Sequence, residues 1–395
     1  MTMKNRFIGV GTLSISKKAK LYVNRALDNK RLSYGPFMKE FEQKFSYIHQ
    51  CRFGIMSNSG TSALHIALAA LKQIHGWKDN DEVIVPALTF VATSNVAIHN
   101  NLKPVFVDVE KDYYGINPKL IEEKITERTK AIIPVHLFGM PCDMDQILKI
   151  ASRHGLKIIE DSCETMFAGY KGRMVGSLGD IGCFSTYIAH LITTGVGGMN
   201  TTNNPDYAVM LRSLVNHGRD SIYISIDDSK GKSKKELKEI IAKRFSFVHI
   251  GHSFRATEME AALGVAQLET WEAMIGKRRE NARLLSEGLK KFEDKIQLPK
   301  IRNGCGHSFM MYPIVLRGKK KEKLVNHLEN SGIETRDMLP LISQPIYRKL
   351  FSIDEKDYPV ADWINSNGFY IGCHQDVSKD DISYIIGKFE DFFDR

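Results

Sequence analysis

The chain has 395 residues, 43% of them apolar and 26% charged, which suits an ordinary soluble globular enzyme with a full hydrophobic core and excludes disordered and fibrous classes. Its formal charge of +9 comes largely from two local runs: Lys230, Lys232, Lys234, Lys235, Lys238, Lys243 and Arg244, and then 317–323. No nucleic-acid motif accompanies them, so they read as solvated faces, and a basic surface also favours an anionic small substrate over nucleic acid.

Residues 1–12 hold basic side chains without a continuous apolar core, so no signal peptide is expected there. The longest uncharged stretch, 181–205, is broken by glycines, threonines and a histidine. No membrane span is expected, and the chain reads as cytoplasmic. The six cysteines (Cys51, Cys142, Cys163, Cys183, Cys305 and Cys373) form no C-x-x-C pair and read as reduced core residues, with no metal expected.

From about residue 52 to 202 apolar strand-like runs alternate with helical patterns, which predicts an α/β fold with a mainly parallel sheet flanked by helices. The strand candidates are Glu82–Pro86, 104–109, 131–138, 156–161, 182–186 and 198–201, with helices expected over 61–74 and 143–154 among others. Residues just past strand carboxyl ends carry most weight, because ligands bind there in such sheets.

Four segments stand out in chain order. Ser57-Asn58-Ser59-Gly60-Thr61-Ser62-Ala63-Leu64 opens a helix after an apolar run, and backbone N–H groups with short hydroxyls at Gly60, Thr61 and Ser62 would cradle an anion. The plainer reading is a Ser/Thr cap. Phe90, directly after a strand, offers a ring to stack on a pyridine or to pack in the core. Ile158-Ile159-Glu160-Asp161-Ser162-Cys163-Glu164 is a buried-type strand ending in acids, where Asp161 needs a cation such as a protonated pyridine nitrogen, or else caps the next helix. Phe184-Ser185-Thr186-Tyr187-Ile188-Ala189-His190-Leu191-Ile192-Thr193-Thr194-Gly195-Val196-Gly197-Gly198 places His190 five residues past Ser185, and its glycine turn would let backbone pass close to a ligand.

Beyond 256 a long helical pattern over 257–292 leads to a strand at 309–316, a helix at 319–330 and a closing helix at Lys379–Phe393. The expected division is a large cofactor-binding α/β domain at 1–255 and a smaller C-terminal α+β domain at 256–395. The lysine-rich stretch 228–243 reads as an exposed insertion.

These motifs together resemble the DegT/DnrJ/EryC1/StrS sugar aminotransferases along nearly the whole chain, from Gly35-Pro36 and Phe41-Glu42 to Asn367-Gly368-Phe369-Tyr370-Ile371-Gly372-Cys373-His374-Gln375. The resemblance implies an aspartate-aminotransferase-like fold, the fold type I of PLP-dependent transferases, with pyridoxal phosphate as cofactor. Ser185 then joins the phosphate grip, Phe90 stacks on the ring, Glu164 counts among the cofactor-binding residues, and Asp161 keeps the ring nitrogen protonated so that the ring works as an electron sink. Val196 stands where the family usually has an acid. In the segment from Gly251 to Met259 the family's asparagine reaches across a dimer interface to the phosphate; the shorter Ser253 stands here. His217 and Arg219 resemble a substrate-side segment, or are ordinary loop residues.

His190 occupies the position of the family lysine that holds the cofactor as a Schiff base. An imidazole cannot form one, so the resemblance implies pyridoxal or pyridoxamine phosphate held non-covalently and His190 acting as the acid–base group, with an unperturbed pKa of about 6.5. The closing motif and the Glu-Asp-x-Cys-Glu run are most similar to the histidine-containing GDP-4-keto-6-deoxymannose 3-dehydratase branch. That branch implies a nucleotide-linked 4-keto-6-deoxy sugar as substrate, L-glutamate as amino donor, loss of the C3 hydroxyl, and a homodimer serving deoxysugar and O-antigen synthesis. A relative type that depends on an iron–sulfur centre is not matched, since its cysteine cluster is absent. Two other readings stay open: a nucleotide-sugar aminotransferase with an unusual or engineered histidine at the lysine position, and a non-catalytic binding protein on this fold.

Overall fold

Short polar side chains set the helix starts. The computed structural model describes residues 6–220, 232–243, 245–318, 320–339 and 341–394. Helix α1 (Lys17–Asp28) begins at Ser16, whose hydroxyl accepts from the Ala19 N–H at 3.0 Å. Helix α2 (Pro36–Ile48) is capped from a distance, because the buried Glu258 carboxylate accepts from the N–H groups of Gly35, Phe37 and Met38 at 2.7, 3.0 and 2.8 Å.

The large sheet and its helices follow: β1 (Phe53–Ser57), α3 (Gly60–His75), β2 (Glu82–Pro86), α4 (Val91–His99), β3 (Lys103–Val107), β4 (Thr129–Ile132), α5 (Met144–His154), β5 (Lys157–Asp161), a small hairpin of β6 (Gly169–Tyr170) and β7 (Arg173–Met174), β8 (Ile181–Ser185), β9 (Gly198–Thr202) and α6 (Pro205–Val215). The sheet order is β1-β9-β8-β5-β4-β2-β3. Strands β3, β2, β4, β5 and β8 run parallel, while β9 lies antiparallel to β8, and β1 to β9. Both faces are covered, so the strands are apolar on both sides. Val83, Val85 and Ile159 pack with Leu64, Leu68, Val96 and Leu211 of α3, α4 and α6, whereas Ile84 and Ile158 point to the other face against Ile147 and Ile150 of α5.

A helix α7 (Lys234–Lys243) precedes α8 (Glu258–Leu268) and α9 (Trp271–Leu289). Then come β10 (Ile296–Gln297), β11 (Tyr312–Leu316), α10 (Lys321–Asn330), β12 (Thr335–Asp337), α11 (Pro345–Phe351), α12 (Pro359–Asn367), β13 (Gly368–Ile371) and α13 (Lys379–Phe393). These strands form an antiparallel sheet in the order β10-β11-β13-β12, with a core that joins Leu285, Leu289, Ile314, Leu328, Ile371 and Phe389. The N-terminal segment adds to it through a bridge between Ile8 and Ile333.

Four expectations change. Strand β1 was not among the candidates; it borders the large sheet on β9. The strand expected over 131–138 ends at Ile132, because Pro134 has no N–H to extend the pairing; its carbonyl instead accepts from the Asp161 N–H at 3.0 Å. The helix expected over 257–292 is two helices, broken where the Thr270 hydroxyl turns back to the Gln267 carbonyl and α8 buries its Ala- and Val-rich surface against α1 and α2. The strand expected from 309 starts at Tyr312, since Phe309 adopts a φ of +48°. Of the lysine-rich insertion, 232–243 is described and mostly exposed, while residues 228–231 and Arg244 lie outside the described residues. All six cysteines are free, and among the described residues no helix is long and apolar enough to cross a membrane.

Candidate active site

The first turn of α3 and the chain just past the carboxyl ends of β2, β5 and β8 enclose a cavity of about 410 Å³, closed on the remaining side by Met310, Met311, Leu339 and Tyr370. The first N–H groups of a helix have no partner within it, and those of Gly60 and Thr61 stand at this opening. A Cβ on Gly60 would lie 2.6 Å from Ser185 Cβ, and one on Gly198 would lie 2.2 Å from the Ser59 carbonyl oxygen. The cradle is therefore bare backbone with the Ser185 hydroxyl beside it. Ser62 does not join it: its N–H donates to the Ser59 hydroxyl at 3.0 Å, its own hydroxyl donates to Asn58 Oδ1 at 2.7 Å, and it is absent from the cavity wall. Ser59 thus takes the capping role that the sequence left open, and Ser62 supplies the N–H that it caps.

Asp161 ends β5 and is 4% exposed. Thr93 Oγ1 donates to its Oδ2 at 2.7 Å and the Cys163 N–H to its Oδ1 at 3.2 Å, but among the described residues no basic side chain forms an ion pair with it. Burial raises the carboxyl above its usual range, with the Thr93 and Cys163 bonds pulling against it. It opens a turn rather than a helix, so the capping alternative fails. A buried carboxyl facing a cavity without a cation fits a protonated pyridine nitrogen. Phe90, 58% exposed at the cavity wall just past β2, leaves a ring face free for stacking rather than serving as core. Glu164 lines the same wall. Burial and then the nearby Asp161 push its carboxyl up to about 7, against the pull of the Phe138 N–H that donates to Oε2 at 3.0 Å.

His190 lies on the turn after β8 with its imidazole in the cavity. Nδ1 is buried without a hydrogen-bond partner, and burial pushes the ring down to about 4. At neutral pH the imidazole is therefore an uncharged base, well below the unperturbed value expected from the sequence. The glycine turn is as required: Gly195 and Gly197 have φ of +91° and +152°, and the Thr186 and Thr194 hydroxyls pair at 2.6 Å across it.

Ser253, His217 and Arg219 stand apart from this cavity and near one another. Ser253 bridges to Asn216, Arg255 Nη2 reaches Ser253 Oγ at 3.0 Å and His217 Nε2 at 3.1 Å, and the Arg219 guanidinium lies over the Phe245 and Phe247 rings at 5.5 and 5.3 Å. Sequence reasoning missed Thr93, Met310, Met311, Leu339 and Tyr370. Thr93 had a signal, since it lies one helical turn after Thr89 at a strand end. The others arrive from the second sheet and its loops; Tyr370 lies in the closing motif that carries the resemblance, whereas no local pattern announces Met310, Met311 and Leu339.

The profile of the DegT/DnrJ/EryC1/StrS aminotransferase family matches residues 13–390. The GDP-perosamine synthase of Escherichia coli O157:H7 is 33% identical over 98% of this chain and 99% of its own length. A dTDP-4-dehydro-2,6-dideoxy-D-glucose 3-dehydratase from Saccharopolyspora spinosa is 31% identical over 92% of this chain and 81% of its own. Among solved structures, the E. coli GDP-4-keto-6-deoxy-D-mannose-3-dehydratase with bound hydrated PLP matches with a TM-score of 0.88 at 26% identity, covering 97% of this chain and 100% of that one. The PLP-transferase fold expected from the motifs is the fold observed.

Proposed function

Because the chain belongs to the DegT/DnrJ/EryC1/StrS aminotransferase family of PLP-dependent, sugar-modifying enzymes, we propose that it removes the C3 hydroxyl of a nucleotide-linked 4-keto-6-deoxy sugar. The observation that carries this reading is the cavity wall, which among the described residues holds no lysine and presents the neutral His190 imidazole beside the expected cofactor grip. Pyridoxal or pyridoxamine phosphate is then held without a covalent link. The Gly60 and Thr61 N–H groups and the Ser185 hydroxyl take its phosphate, Phe90 stacks on its ring, and Asp161 keeps its nitrogen protonated. When bound, the cofactor supplies an electron sink.

His190 does the proton work. A neutral imidazole accepts a proton, and once charged in a site that disfavours the charge it is a strong acid, suited to returning that proton to a departing hydroxyl. L-glutamate supplies the amino group. The working unit is a homodimer in which Ser253, His217 and Arg219 approach the partner's cavity. Support for the dehydratase reading comes from the 31% identity to a sugar 3-dehydratase. A second reading, transfer of the amine to the sugar, is favoured by the 33% identity to a GDP-perosamine synthase.

Incubation with L-glutamate and GDP- or dTDP-4-keto-6-deoxyhexose, followed by mass spectrometry, separates the two. Dehydration gives a sugar without the C3 oxygen together with free ammonia, whereas an amino sugar that keeps this oxygen establishes the second reading instead. Borohydride added to the PLP-loaded protein is expected to leave no adduct at position 190, and a covalent product there sinks the non-covalent grip.

A further inference from the structure

A catalytic imidazole is normally aimed by a hydrogen bond to its second ring nitrogen. Among the described residues His190 has none: Nδ1 is buried and unpartnered, and its backbone N–H turns back to the Tyr187 carbonyl at 2.9 Å. The direction of the ring must come from the backbone that carries it. On the strand side that backbone is pinned by the Thr194 N–H donating to the Thr186 carbonyl at 2.8 Å and by the paired threonine hydroxyls. On the helix side it is held by Gln267, in the last turn of α8. Gln267 Nε2 donates to the Thr193 carbonyl at 2.6 Å and Oε1 accepts from the Thr193 N–H at 3.0 Å, so the amide grips the Thr193 peptide as a neighbouring strand would.

A second cavity of about 270 Å³ adjoins this grip, with Ser14, Ser16, Thr193, Gln267, Thr270 and Gln375 among its walls. Open space walled by both polar side chains and Leu191, Ala266 and Met274, rather than packed side chains, therefore lies behind Thr193. Without the amide, water has room to reach this peptide and satisfy it, but water does not fix its position.

We propose that Gln267 is a positioning residue for His190, acting through the Thr193 peptide to set where the imidazole points. The proposal rests on the reading of His190 as the acid–base group. Gln267→Met keeps the side-chain volume and abolishes the pairing. Its kcat is expected to fall by roughly tenfold to a hundredfold, the scale of a misplacement of about 1 Å, with KM and PLP affinity unchanged within about twofold. Gln267→Glu keeps only the acceptor and falls between the two. In a His190→Asn background, the same Gln267→Met change is expected to alter the remaining rate by less than about twofold, because the group it aims is gone.

Equal losses in both backgrounds, or a loss confined to PLP affinity, overturn the positioning role. His190→Asn at the wild-type rate overturns the reading of His190 itself, and Gln267 falls with it. A readout free of turnover is the NMR titration of the His190 ring in cofactor-free protein, identified by its disappearance in His190→Asn. In Gln267→Met the ring is expected to gain water and titrate closer to the ordinary histidine value; a titration unchanged from wild type counts against the proposal.

Discussion

Asp161 and Glu164 share one wall of the cavity, and burial acts on both, but under the proposed function only Asp161 gains an opposite charge, since a pyridinium would offset its own. Glu164 is left as a carboxyl raised from 4.5 to about 7, first by burial and then by Asp161. The folded chain keeps this proton up to about 7, while the unfolded chain loses it near the ordinary value. Between those two pH values the folded state binds more protons, so the contribution of Glu164 to stability falls as pH rises through that window and stays low above it. In cofactor-free protein, Glu164→Gln is expected to gain on the order of 3 kcal/mol over wild type at pH 8 and almost nothing at pH 4, by urea denaturation. A gain that does not depend on pH contradicts the raised carboxyl. The gathering of Asp161, Ser185 and His190 at one cavity was legible in the sequence because each sits at a fixed offset from a strand end or a glycine turn. Their pKa values were not, because burial is a property of the packed chain: His190 reads as an ordinary histidine in sequence and is held near 4 in the fold.

At the level of elements, the site is a meeting of strand ends with one helix start. The approach of α3 to β8 is so close that Gly60 has no room for a side chain: an added Cβ meets Ser185 Cβ at 2.6 Å and Cys163 Sγ at 3.0 Å. Gly60→Ala is expected to displace Ser185 from the cradle and weaken PLP binding by roughly tenfold or more, about 1.4 kcal/mol, read by fluorescence titration. Gly276→Ala in α9 is the control, since nothing lies within 4 Å of its added Cβ; it is expected to leave PLP affinity alone and raise stability by about 0.5–1 kcal/mol. If both variants bind PLP like wild type, the cradle does not depend on that contact. Strands with apolar residues on both faces, such as β2 and β5, were legible from composition alone. The early end of β4 at Pro134 and the break between α8 and α9 were not given their weight, because one missing N–H and one back-bonding threonine were outvoted by a continuous apolar pattern.

The whole molecule poses the question that a single chain leaves open, because Ser253, His217 and Arg219 gather outside the chain's own cavity. Beside them Phe245 and Ile250 are 82% and 89% exposed, and Phe247 and Val248 about half exposed, a strip that a second copy would cover. The resemblance implied a shared site; local pattern could not, since the residues concerned make their proposed contacts in another subunit. Hybrid dimers decide the matter. Neither His190→Asn nor Arg219→Ala homodimers are expected to turn over at a useful rate. If each site takes His190 from one subunit and Arg219 from the other, a dimer of the two variants has one doubly damaged site and one intact site. Random reassortment makes half the dimers hybrid, so an equal mixture refolded together is expected to recover about one quarter of the wild-type rate. Were both residues supplied by the same chain, every site in every dimer would carry one lesion, and the mixture would stay as inactive as its parts.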